Sequence, residues 1–383
     1  MPAKIRLRRI WTRGGLGWLA VLLMALLTLG LPGPAAGALT DLGTLGGNFS
    51  EAWGINSSGQ IVGDSLTDSG NFHGFLFEGG VMTDLGTLGG SYSRAYGIND
   101  LGQIVGCSET ASGTYESFLY SGGVMIDLGI MGSTYSDARE INASGQIAGN
   151  YRTASGVNHA YLYSDGVTTD LGTLGGAESY VCAINDSGQI VGFSQTASGT
   201  THGFLYDDGV MTDLGTLGGA TSLARNINNS GQIVGFSRTA SGTTHAFLYA
   251  GGVMTDLGTL GGTDSYARDI NDSGQIVGDA WTDSAGKHAF LYTAGVMTDL
   301  GTLGGWNSEA LAINNKSQMV GDAETSFGTT QAFFYQTGSY PYSQPQEMGD
   351  PANTSAAFYY AAAKAAASQA VWGAYWDQAD IWR

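Results

Sequence analysis

The chain has 383 residues, of which 43% are apolar and only 13% charged, with 62 glycines and 33 acidic against 15 basic side chains. That apolar content excludes a disordered low-complexity chain, and the scarcity of charge with abundant Gly, Thr, Tyr and Val points to strands joined by tight turns. A net charge of −18 opposes long-range attraction to nucleic acid or anionic lipid, so neither is expected as a partner.

Lys4, Arg6, Arg8, Arg9 and Arg13 precede an apolar run over residues 16–31, and Ala36-Gly37-Ala38 follows as a small-residue cleavage signal. This predicts a secretory signal peptide over residues 1–38. The apolar run is shorter than the roughly 20 residues that span a bilayer, so no stable membrane insertion is expected unless the segment stays uncleaved. Without it, ten basic residues face 33 acidic ones, a net charge of −23. The expected setting is extracytoplasmic: secreted, periplasmic or at the cell surface.

From Leu39 the chain repeats. The phrase DLGTLGG or a close variant starts at Asp41, Asp84, Asp127, Asp170, Asp213, Asp256 and Asp299, always 43 residues apart. Ile-Asn keeps the same interval, with Asn56, Asn99, Asn142, Asn185, Asn228, Asn271 and Asn314, and so does GQIVG with Gln60 through Gln318. Seven units cover residues 39–340. Each holds four strand candidates, in the sixth unit SYARDIN, GQIVGDAW, HAFLYTAG and VMTDLGTL. Asn271-Asp272-Ser273-Gly274 and Thr293-Ala294-Gly295 read as the turns between them. The Ser/Thr/Gly-rich interval before HAFLY reads as an exposed loop. Four strands in 43 residues is the size of one propeller blade, whose apolar faces are buried against neighbouring blades. The predicted fold is an all-β, seven-bladed propeller, with residues 39–45 pairing beside 331–335 to close the last blade.

These phrases closely resemble the HAF repeats, a bacterial extracellular family named for the triplet that stands here as His245-Ala246-Phe247 and His288-Ala289-Phe290. The resemblance implies export and a repeat architecture, and no transferable activity. Glu116 and Gln331 replace the histidine in two units.

His73, His159, His202, His245 and His288 share one slot, one per unit, and do not converge as zinc ligands must. A hydrogen bond within each blade to the aspartate that opens DLGTLGG is expected, and no metal or cofactor. Cys107 and Cys182 lie in non-neighbouring units, so two unpaired, largely buried thiols are expected. The units differ most on the first strand. Trp53, Tyr96, Arg139, Cys182, Arg225, Arg268 and Leu311 share one slot, and Gly54, Gly97, Glu140, Ala183, Asn226, Asp269 and Ala312 the next. If that strand is innermost, Arg139, Glu140, Arg225, Arg268 and Asp269 form a candidate polar binding site, with salt bridges between blades as the plainer alternative.

After Tyr340 a Pro- and polar-rich linker leads to an Ala-rich stretch expected to be helical, the two together spanning residues 341–383. No G-x-S-x-G elbow, zinc signature or P-loop occurs. The functional expectation is an exported, monomeric, non-catalytic binding or surface-interaction protein whose partner is a glycan or protein at the cell surface. The alternative is a propeller hydrolase or lyase acting on an extracellular polysaccharide, and a third reading is a purely structural surface repeat. Fold alone does not separate them.

Overall fold

The structure, a computed structural model, describes residues 42–326, 328 and 330–336. The expected signal peptide and the linker with its Ala-rich tail lie outside the described residues. Within them the chain is all-β, with one 3-10 turn at Ile130–Gly132. Strands assemble in sequential order into seven antiparallel sheets, six of four strands and the last of three. The fifth sheet is representative: Gly218–Ile227, Ile233–Thr239, Thr244–Ala250 and Val253–Asp256.

Apolar alternation sets which face each strand buries. Phe75, Phe118, Phe204, Phe247 and Phe290, the aromatic residue of the third strand, are fully buried, and so are Ile104, Ile190, Ile233 and Ile276 of the second. Six of the seven apolar clusters among the described residues span two sheets, the exception being Ile130 with Tyr151 and Tyr161 at the third. Val191 and Ala183 of the fourth sheet, for example, pack with Ala224, Ile227, Ile233 and Phe247 of the fifth. One sheet therefore has no complete core of its own, which is why the same phrase must recur. First strands of consecutive sheets pack side by side. Fourth strands lie outermost, with Val210 61% exposed.

The fourth strand is shorter than VMTDLGTL. It stops at Asp256, because Gly258 takes φ +74°. The Asp256 carboxylate accepts the Gly258 N–H at 2.8 Å, and the Leu-Gly-Thr-Leu stretch becomes the crossover. The next first strand starts earlier than expected, at Gly261. The Ser/Thr/Gly-rich interval is a short exposed hairpin, as at Thr239, whose Oγ1 shares a hydrogen bond with Ser241 Oγ at 2.8 Å.

The crossover also decides the fate of residues 39–45. Residues 42–44 form no strand, and Leu45 makes a parallel bridge to Thr67 of the first sheet, as Leu217 does to Thr239 in the fifth. The expected pairing beside 331–335 is therefore absent from the described part of that segment, and residues 39–41 lie outside it. The LGTL copy at 42–45 belongs to the first sheet through the same leucine–threonine bridge that ties Leu88, Leu174, Leu217, Leu260 and Leu303 to the sheets they enter. The two ends of the array do meet elsewhere: Lys316 Nζ in the seventh sheet donates to Ser57 O in the first at 3.2 Å.

The hairpins joining first to second strands form a uniform rim. Asn228 Oδ1 accepts the N–H groups of Ser230 and Gln232 at 3.1 and 3.0 Å, and its Nδ2 donates to Gln232 Oε1 at 2.8 Å and to Asn271 O of the next sheet at 3.1 Å. The bond to the next asparagine recurs at 3.1 Å from Asn56 to Asn99 and onward to Asn314. Ile-Asn and Gln are thus repeated for more than turn formation. They satisfy buried backbone groups and tie each sheet to its successor.

Candidate functional site at the inner strands

The first strands run Gly46–Ile55, Gly89–Ile98, Ser136–Ile141, Gly175–Ile184, Gly218–Ile227, Gly261–Ile270 and Gly304–Ile313. Each is interrupted at the same slot by a β-bulge. In the fifth sheet Ala224 pairs with Gly235 and Asn226 with Val234, leaving Arg225 as the extra residue. Trp53, Tyr96, Arg139, Cys182, Arg268 and Leu311 are the extra residues of the other sheets. A bulge frees one side chain from the strict two-residue alternation and re-aims it. The second glycine of GQIVG lets the two strands approach closely just before the bulge. A Cβ at Gly235 would lie 2.0 Å from Leu223 O, a clash that no L side chain avoids.

Two further slots flank the bulge. Two residues earlier on the first strand stand Glu51, Arg94, Asp137, Tyr180, Leu223, Tyr266 and Glu309. Opposite them on the second strand stand Asp64, Cys107, Asn150, Phe193, Phe236, Asp279 and Asp322. These residues decide what each bulge residue meets. Trp53 Nε1 donates to Asp64 Oδ1 at 2.6 Å, and Arg94 of the next sheet approaches the same carboxylate at 2.8 Å. Arg139 Nη2 donates to Asp137 Oδ2 at 2.8 Å while its guanidinium lies 4.6 Å from the Tyr96 ring centre. Arg268 Nε donates to Asp279 Oδ1 at 2.8 Å, and its Nη2 reaches Glu309 of the seventh sheet at 3.4 Å. Lys287 pairs with Glu309 as well.

Arg225 differs. The Cys182 thiol is near enough to act on its charge, and among the described residues no carboxylate forms an ion pair with it. Burial lowers its pKa from the ordinary arginine value, and the like charges of Arg268 and Arg139 add to that, against the pull of Cys182. Arg225 and Cys182 are both half-buried and keep some access to solvent. Burial raises the Cys182 thiol pKa even though Arg225 and Arg139 act the other way.

The five predicted site residues therefore fall into two groups. Arg139, Arg225 and Arg268 occupy the bulge slot, and Arg225 feels the charge of the other two. Glu140 and Asp269 stand one residue further on, and Glu140 feels the charge of Asp269 from three sheets away. Burial pushes Glu140 up to about 8, opposed by the Ile141 N–H and assisted by Asp269. Burial likewise pushes Asp269 up to about 6, despite hydrogen bonds from the N–H groups of Ile313 and Ile270, each 2.7 Å long. Asn226 Nδ2 also donates to Asp269, at 2.5 Å. Asp269 thus staples three first strands together, and the plainer salt-bridge reading holds for the Arg268–Glu309 contact. The carboxylates Asp64, Asp137, Asp279 and Glu309 and the cation Arg94 went unrecognised in the sequence. Their two slots vary between units as strongly as the bulge slot does, and that shared variation was the available signal.

The histidine slot behaves as predicted. His202 Nδ1 lies 2.8 Å from Asp213 Oδ2, and the same contact joins His73 to Asp84, His159 to Asp170, His245 to Asp256 and His288 to Asp299. Cys107 is buried and Cys182 half-buried, both free. Among the described residues no group of three His, Cys, Asp or Glu could hold a metal ion. A cleft of about 260 Å³ between the sixth and seventh sheets is lined by Trp281, Lys287, Asn307, Glu309, Asp322 and Glu324 among others.

Among solved structures, one similar chain comes from a structural and mechanistic study of two prolyl endopeptidases. It has a TM-score of 0.50 at 10% identity over 74% of this chain and 46% of that one. The fold is propeller-like. Two further matches are the BP39L lectin from Burkholderia pseudomallei (TM-score 0.40, 12% identity, 73% of this chain and 93% of that one) and a putative TolB from Agrobacterium tumefaciens (0.39, 11%, 61% and 90%). No protein-family model matches the chain, and no curated protein matches it. At these identities the likeness concerns architecture alone.

Proposed function

We propose that this propeller-like protein is an exported, non-catalytic binding protein of the HAF-repeat type. It would contact a glycan or protein outside the cytoplasm through the variable positions of its inner strands. The observation that carries this reading is the distribution of variation. The asparagine rim and the His–Asp pairs recur, whereas the bulge slot and its two flanking slots change side chain from sheet to sheet. Positions free to diverge within a fixed scaffold are where recognition is built. The same reading takes the seven sheets as the blades of a closed ring, with the Lys316–Ser57 contact in support.

A binding screen of the purified protein against glycans and surface proteins tests this, run beside a polysaccharide hydrolysis screen. A ligand lost on substitution of Arg139 or Arg268, with no turnover, is the expected result. The alternative, a hydrolase or lyase, draws on one observation: Glu309, Asp322 and Glu324 share the cleft beside Trp281. Against it, Glu324 already accepts the Trp306 N–H at 3.0 Å, and Glu309 is engaged by Lys287 and Arg268. Turnover abolished by Asp322→Asn would establish the enzyme.

A further inference from the structure

Three of the seven bulge residues are arginines, and the surroundings of two explain how their charge is balanced. In the sixth sheet the second-strand position beside the bulge is Asp279, which Arg268 engages at 2.8 Å. In the third sheet the first-strand position two residues earlier is Asp137, which Arg139 engages at 2.8 Å. In the fifth sheet the same two positions are Leu223 and Phe236, register partners of each other. The fourth sheet next to it carries Tyr180 and Phe193, whose rings stack at 5.0 Å, and the sixth carries Tyr266, 5.0 Å from Phe236. Arg225 therefore stands in the apolar sector of the inner surface, where both places that could supply a carboxylate supply hydrocarbon. All of Arg225, Cys182, Leu223, Phe193 and Phe236 keep partial exposure. A half-buried guanidinium with no ion-pair partner among the described residues keeps its N–H donors open to an acceptor that comes from outside.

We propose that Arg225 is the anchor of a site for a carboxylate attached to an apolar or aromatic body. The carboxylate takes the guanidinium fork and the body lies against Leu223, Phe193 and Phe236. The fork matches a carboxylate in two parallel N–H···O bonds, and in a water-poor setting such a charge-assisted pair is strong. The apolar wall selects against small hydrated anions, because they gain nothing from it. The site rests on the reading of the inner strands as the ligand surface and adds the ligand's chemistry to it.

The probes are benzoate with its neutral isostere benzamide, acetate as the anion without a body, and N-acetylphenylalanine with its primary amide. The last pair separates a peptide terminus from a free organic acid. Binding is read by calorimetry and by alkylation of Cys182, with buried Cys107 as the silent control. Benzoate should bind and slow Cys182 alkylation, while benzamide and acetate should bind at least about tenfold more weakly. Arg225→Leu should weaken benzoate by at least about tenfold, and Arg225→Lys should fall between it and the unchanged protein. Cys182 protection needs no variant, so it decides the matter even if Arg225→Leu fails to fold. Equal binding of benzoate and benzamide, or a Cys182 rate unmoved by benzoate, overturns the proposal. If the screens instead yield a ligand that depends on Arg139 or Arg268 and not on Arg225, the binding-protein reading stands and this site falls.

Discussion

At the hairpin rim Asn228 makes the same bonds as Asn99 and Asn185, while three residues earlier on the same strands Arg225, Tyr96 and Cys182 share nothing but their slot. The two regions are neighbours, yet one repeats and the other does not. The difference follows from how each side chain is tied to the backbone. Each rim asparagine from Asn56 to Asn271 satisfies two N–H groups of its own turn and a carbonyl of the next sheet, so any replacement strands several buried groups at once. The bulge residue lies outside the ladder, and its replacement disturbs only what touches its side chain. Gly235 belongs with the rim in this respect, since the strand opposite it leaves no room for a methyl group.

The contrast can be broken by substitution. The largest effect is expected from Gly235→Val, which drives a side chain into Leu223 O and separates the first two strands of the fifth sheet. The expected outcome is no cooperative thermal transition by circular dichroism, and a variant as stable as the parent would refute the close approach. Asn228→Ala comes next. It should lower unfolding free energy by about 2–3 kcal/mol in chemical denaturation, the scale for exposing unpaired buried groups. Ligand binding at the inner strands should survive it.

A pH titration sharpens the comparison from the other side. Glu140 and Asp269 are pushed up to about 8 and 6, from ordinary values of 4.5 and 3.8. The folded state therefore holds protons that the unfolded chain releases. Their contribution to stability is fully present below the unfolded values and is lost as pH rises through 6 and then 8. The melting temperature should fall across that window, and Glu140→Gln should flatten the upper part, removing at most about 1.4 kcal/mol per pH unit. An unchanged slope would count against a raised Glu140. The smallest effect belongs to His202→Gln. Its pair with Asp213 is partly exposed, so less than about 1 kcal/mol is expected, with metal content by mass spectrometry unchanged.

Much of this was legible in the sequence, and particular residues show where legibility ended. Val, Ile and Phe at fixed 43-residue intervals announced strands, sheet count and a core shared between sheets. His–Asp pairing followed from the hairpin register. The crossover was misassigned because Leu-Gly-Thr-Leu alternates like a strand, and only Gly258 at positive φ shows that the chain turns there. The bulge was invisible, because one extra residue in a ladder leaves no mark in composition. Without it, Arg139 and Glu140 were grouped in one polar site, and their separate partners, Asp137 and the Ile141 N–H, could not be told apart.

The asparagine rim has one further consequence. Each of the six junctions between consecutive sheets presents the same donor and the same acceptor, 3.1 Å apart, so such a junction carries no record of which sheet follows it. A whole unit of 43 residues can be copied or lost with its joints already matched, whereas a single inserted residue within a strand turns its buried side chains outward. The natural increment of change in this chain is therefore the unit, and point substitution is freest at positions, such as the bulge slot, that the joints do not use.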